Sequence, residues 1–226
     1  SRNVDSGPVL LIVGMIVGAL FAALVGFLIG IPVLRLKGDY LAIVTLAFGE
    51  IIKGIFNNLY VGVDSSGLHM SLISDKTNLA EDGEMIIGGP MGLETIPRES
   101  NFTAGVILVI ITLIVVFHLV NSRSGRAIMA VRDNRIAAES IGINITKFKL
   151  MAFTISAAIA GAGGVLYAHN LSTVTATPAN FGYNMSITIL VFVVLGGIGN
   201  IRGSVIAAVV LYMLPELLRG LSNYRM

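Results

Sequence analysis

The sequence predicts an all-α, polytopic transmembrane helix bundle with about five to six membrane segments. Three observations carry this. Hydrophobic residues make up 55% of the 226 residues and charged residues only 12%, about half the charge of a typical soluble domain. Apolar runs long enough to cross a bilayer recur along the chain. The segments between them alternate in charge, as loops on the two sides of a membrane do. The same composition excludes a soluble enzyme and a disordered chain, and a net charge of +2 is too mild for a nucleic-acid partner. Cysteine and tryptophan are absent. Disulfides, thiolate chemistry and cysteine metal sites are therefore ruled out, and any aromatic belt must use Tyr and Phe.

The first apolar run, Pro8 to Leu34, contains no charge. At 1.5 Å per residue it reaches about 40 Å, enough to cross with tilt. Gly14, Gly18, Ala22, Gly26 and Gly30 fall every fourth residue, and small residues at that spacing let helix backbones approach closely in lipid. Pro32 marks the expected end, followed by a polar junction of Arg35, Lys37 and Asp39. The second run, Leu41 to about Tyr60, is interrupted by Glu50 and Lys53. Thr45, Gly49, Lys53 and Asn57 share one helical stripe, flanked by Glu50. An ionisable group within an apolar segment is costly and by default marks function. Thr45, Gly49, Glu50 and Lys53 are therefore candidates for a translocation pathway. A local Glu50–Lys53 salt bridge with no transport role and a contact with a partner are the competing readings.

Further uncharged runs cover Phe102 to Val120 and Leu150 to Ala168, the latter with a small-residue stripe of Ser156, Ala160, Gly164 and Ala168. The last apolar block, Met185 to Leu214, is broken by Gly196, Gly197, Gly199 and Gly203. It reads as one broken span or as a hairpin; Arg202 favours the hairpin, while Arg219 and Arg225 weigh against it. Residues 63–100 carry Asp64, Asp75, Glu81, Asp82, Glu84, Glu94 and Glu99 against Lys76 and Arg98. Residues 121–149 carry Arg123, Arg126, Arg132, Arg135, Lys147 and Lys149 against Asp133 and Glu139. Basic loops stay cytoplasmic, which puts 121–149 inside and the acidic loop 63–100 outside. The acidic loop is long enough for local structure of its own, with a turn at Gly88 to Gly92.

Within the basic loop, Asp133 reads as an N-cap, Asn134 to Ile141 as a short helix and Gly142 as its C′ residue. Small Ala137 and Ala138 at its centre suit docking into a groove of a soluble partner. An interfacial loop that only holds topology through its charges is the alternative.

Four ordered segments then resemble one family: Arg35 to Ile51 (RLKGDYLAIVTLAFGEI), Ala130 to Asn144 (AVRDNRIAAESIGIN), Leu195 to Asn200 (LGGIGN) and Leu214 to Arg219 (LPELLR). They are similar to the LivM-type permease subunit of bacterial branched-chain amino acid ABC transporters, over about Pro8 to Arg219. The resemblance implies an ABC importer permease fold, one transmembrane permease domain over 1–226, and a multi-pass place in the bacterial cytoplasmic membrane. It implies that Arg132, Asp133, Asn134, Ala137, Ala138 and Gly142 belong to a segment that couples to an ATPase. It implies as partners a second, LivH-type permease, two ABC ATPase subunits, an extracytoplasmic substrate-binding protein and an amino-acid substrate. Further helices are expected before Ser1 and after Met226. Gly14, Gly18, Gly26, Gly30, Ala160 and Gly164 are expected to pack helices.

No Gly-x-x-x-x-Gly-Lys-Ser/Thr loop is present, so ATP hydrolysis is assigned to other subunits. His69, His118 and His169 are far apart, no Ser–His–Asp set can be placed by spacing, and neither a cofactor nor a metal is expected. Two other classes stay open from the residues alone: an ion-coupled secondary transporter using Glu50, and an ABC permease for another small solute such as urea or a sugar.

Overall fold

The structure, a computed structural model, describes residues 7–36, 39–64, 67–71, 84–93, 96, 100–171, 173–177 and 181–221. Lys37, most of the charged stretch Lys76 to Met85, and Arg225 lie outside these residues. Among the described residues, five helices are long and apolar enough to cross a membrane: α1 (Gly7–Val33), α2 (Asp39–Asn58), α3 (Phe102–Asn121), α6 (Ile145–Leu171) and α8 (Ile201–Leu221). Between them the described residues also form the shorter helices α4 (Arg123–Asp133), α5 (Arg135–Ser140) and α7 (Tyr183–Gly196). The chain is thus a multi-pass helical membrane bundle. Its large apolar side chains point outward along α1, α3, α7 and α8, as hydrocarbon or neighbouring apolar helices allow.

The tightest seam is between α1 and α6. Gly14 lies beside Val165 and His169, while Gly30 lies beside Leu150 and Phe153, so the two helices run antiparallel. A Cβ at Gly18 would overlap Val165, and one at Gly26 would overlap Ala157. In return, a Cβ at Gly161 would overlap Ala22 and the Gly18 carbonyl. The α6 side of this seam differs from the expected stripe. It runs through Phe153, Ala157, Gly161 and Val165, one position away; Ala160 and Gly164 are exposed, and a Cβ at Gly164 would meet nothing within 4 Å. Residues 156–164 of α6 (SAAIAGAGG) are small on nearly every face, so small-residue spacing does not select which face meets α1.

The acidic segment holds structure that the sequence left unassigned. Strands β1 (Tyr60–Asp64), β2 (Gly67–Ser71) and β3 (Glu84–Gly88) form an antiparallel sheet in the order β2-β1-β3. Past a 3-10 turn at Gly89–Met91, Leu93 pairs with Val174, each N–H donating to the other's carbonyl at 3.0 Å. This bridge ties the sheet to the chain just beyond the C-terminus of α6. The basic segment sits at the opposite end of α6, ahead of Ile145.

The C-terminal block is a hairpin of α7 and α8. Gly197 and Gly199 take φ of 94° and 88°, a left-handed turn region that glycine enters without Cβ strain. A Cβ at Gly196 would overlap Ser204, and one at Gly203 would overlap the Gly196 carbonyl, so glycines on both arms permit the close crossing. Helix α7 has 14 residues, or about 21 Å, short of the roughly 30 Å hydrocarbon core.

Candidate functional site

Two assemblies occupy opposite ends of α6. At the basic end, Ser122 separates α3 from α4. Its Oγ accepts the Gly125 N–H at 3.0 Å, and its hydroxyl donates to the Leu119 carbonyl at 2.6 Å. A Cβ at Gly125 would strike the Leu119 and Val120 carbonyls, so only glycine lets α4 fold this closely against the end of α3. The expected N-cap of the short helix is displaced by one residue. Asn134 caps α5, its Oδ1 accepting the Ala137 N–H at 3.0 Å, while its own N–H ends α4 by donating to the Ala130 carbonyl. Asp133 closes α4 instead, and its carboxylate accepts Arg132 Nε at 2.9 Å. With φ −150° and ψ 104°, Asn134 supplies the extended backbone that a capping residue needs; Asp133 stays helical.

Helix α5 ends in a Schellman arrangement. The Gly142 N–H donates to the Glu139 carbonyl and the Ile143 N–H to the Ala138 carbonyl, both at 3.0 Å, with Gly142 at φ 84°. Ala138, only 2% exposed, packs with Val131 and Ile145. It therefore faces inward and fixes α5 to α4 and α6. Ala137 is exposed beside it, with Ile136 and Ile141 at 81% and 74%. The paired alanines thus have different surroundings: one is an anchor, the other is part of an outward apolar face. The isoleucines were legible as apolar residues in a charged helix but were outranked by the alanines. Arg132 reaches from α4 to the α7–α8 turn, where a Cβ at Gly199 would fall 2.8 Å from its guanidinium nitrogen.

At the acidic end, Glu50 and Lys53 form an ion pair one helical turn apart. Lys53 is the more enclosed, 15% exposed against 41% for Glu50. Tyr183, at the N-terminus of α7, lies near Glu50, where α2 and α7 touch. Glu50 lies eight residues before Asn58, about 12 Å along the helix, so α7 begins inside the bundle rather than level with the end of α2. Thr45 is turned back on its own helix, donating to the Leu41 and Ala42 carbonyls at 3.0 and 2.9 Å.

Gly49 and Lys53 line a cavity of about 300 Å³. Its other walls include Ile52 and Phe56 of α2, Leu93, Val174, Ala176 and Phe181. Of the four expected pathway residues, then, two line this cavity. Glu50 adjoins it through its ion pair, and Thr45 is not among the lining residues. The walls beyond α2 had no signal in the sequence, because they meet through the Leu93–Val174 bridge. That bridge needs Gly92, where a Cβ would overlap the Val174 carbonyl.

The family described as "Branched-chain amino acid transport system / permease component" matches residues 3–225. The chain belongs to this permease family. It is 37% identical over 222 residues to the high-affinity branched-chain amino acid transport system permease protein LivM of Escherichia coli (strain K12), covering 93% of this chain and 51% of that protein. It is 29% identical to a probable LivM of Methanocaldococcus jannaschii, covering 98% of this chain and 61% of the relative. The ribose import permease protein RbsC of Escherichia coli is more distant, 27% identical over 94% of this chain and 66% of its own length. The chain spans about half the length of the LivM protein of Escherichia coli. No solved structure matches it. Family membership and the apolar helices together make this permease a multi-pass protein of the inner membrane.

Proposed function

We propose that the chain is the LivM-type membrane subunit of an ATP-driven importer of branched-chain amino acids. The observation that carries the reading is the 37% identity to a LivM permease over 93% of the chain. In this reading a LivH-type permease completes the pathway, two separate ATPase subunits hydrolyse ATP, and an extracytoplasmic binding protein delivers substrate. The basic segment 121–149 faces the cytosol and the acidic segment 63–100 faces outward, as the Lys and Arg distribution requires. The arrangement of α5 supports a coupling role: a capped helix anchored through Ala138 presents Ile136, Ala137 and Ile141 outward. Such a face suits a groove on a soluble partner. Closure of the ATPases would push α5 as a rigid body, and transport needs the pathway to differ in affinity between its two states.

Affinity purification of the subunit from native membranes tests this. Two ATP-binding proteins and a second permease should co-purify. Ile141→Asp should abolish ATP-dependent leucine uptake in proteoliposomes while leaving the binding protein's affinity for leucine unchanged. Full uptake by this variant, or uptake that persists without ATP and collapses with an uncoupler, would reject the proposal.

A further inference from the structure

The cavity beside Lys53 has the composition of a site for one small zwitterion with an aliphatic side chain. We infer that it receives the translocating α-amino acid: the side chain lies against Phe56, Val174 and Phe181, the carboxylate meets Lys53, and the ammonium meets Glu50. This inference rests on the importer reading above. The volume of about 300 Å³ lies at the small end of ligand pockets, which run from roughly 300 to 1,000 Å³. The walls beyond Lys53 are almost wholly apolar, so a sugar would leave most of its hydroxyls without hydrogen-bond partners, whereas an aliphatic chain gains from burial. Lys53 and Glu50 supply one cation and one anion side by side. A free α-amino acid carries the same two charges close together. It can lie against the pair with opposite signs matched, adding no net charge to a low-dielectric site. An ammonium has three N–H donors, so Lys53 can hold both Glu50 and a carboxylate. Near-neutral pairing also suits a transport site, where strong retention would stop release.

Gly49 offers a way to test the assignment. A Cβ there meets nothing within 4 Å, so Gly49→Leu starts from open space and adds bulk beside the cavity. The complete importer, in proteoliposomes with ATP and loaded binding protein, would be supplied with a leucine analogue carrying a diazirine on its side chain, then illuminated. The expected label lies on peptides containing Ile52 to Phe56 or Leu93, or Val174 to Phe181. Excess leucine should displace it and ribose should not. Gly49→Leu should reduce labelling roughly tenfold or more, the scale on which apolar pockets discriminate by size. The double variant Glu50→Gln/Lys53→Met, which leaves no unpaired charge, should lose it similarly at wild-type yield of complex. Label confined to other peptides, or unchanged in both variants, overturns the cavity assignment alone. Failure of the wild-type proteoliposomes to take up leucine at all overturns the importer reading on which it depends.

Discussion

The two ends of α6 are built by different means. At the basic end, the defining bonds join residues three to five positions apart: Ser122 to Gly125, Asn134 to Ala137, Ile143 to Ala138. At the acidic end, partners are distant in the chain: Leu93 with Val174, and Tyr60, whose ring lies where a Cβ at Gly89 would be. The difference teaches where rigidity comes from. A locally bonded helix pair keeps its shape while its outer face stays free. A cavity made by long-range pairing exists only when three separate segments meet.

The sharpest way to break the contrast is Gly92→Val. It forces a β-branched residue into φ 78° against the Val174 carbonyl, and should cost about 3 kcal/mol. Thermal unfolding of the purified complex should show this, and diazirine labelling near Val174 should vanish while the ATPases still co-purify. Loss of the ATPases instead would mean the two ends are not separable. Next in size is Ala138→Glu, which buries a charge among Val131 and Ile145 and should cost about 2–3 kcal/mol. Limited proteolysis should open the 121–149 segment in this variant but not in Ala137→Glu, whose stability should stay within about 0.5 kcal/mol of the parent. Equal proteolysis of the two would deny the inward and outward roles of the adjacent alanines. Asn134→Ala removes the cap of α5 and should cost about 1 kcal/mol. Asp133→Ala should change stability by less than about 0.5 kcal/mol, because Asp133 caps nothing and its exposed pairing with Arg132 contributes little. A larger loss from Asp133→Ala, measured by the same unfolding assay, would return the capping role to that residue.

The same contrast governs how much the sequence disclosed. The long spans were legible from uncharged length, and the α1 stripe of Gly14, Gly18, Gly26 and Gly30 from its spacing. The break in the last apolar block was legible because glycines punctuate residues 196–203, and Arg202 favoured the hairpin over a single span without deciding it. Gly142 was legible as a helix terminator for the same local reason. Helix α4 was missed: its polar, basic sequence reads as a loop until Ser122 and Gly125 are seen turning it off α3. The one-residue error at Asp133 arose because Asp and Asn cap equally well, and composition does not say which of two adjacent residues leaves the helix; here Asn134 takes the extended backbone and Asp133 stays helical. The α6 face was misassigned because too many small residues competed for it. The sheet and the cavity were illegible in principle: no local pattern says that residue 93 will meet residue 174.

Helix α7 joins the two ends that have been contrasted. It begins near Glu50, and the turn after its last residue lies against Arg132. An α-helix resists compression along its axis, since each turn is braced by its hydrogen bonds. The 14 residues of α7 form a stiff strut whose arginine end is a glycine turn, with Gly197 and Gly199 both at positive φ, so any give between the two ends is concentrated in that turn rather than in the helix.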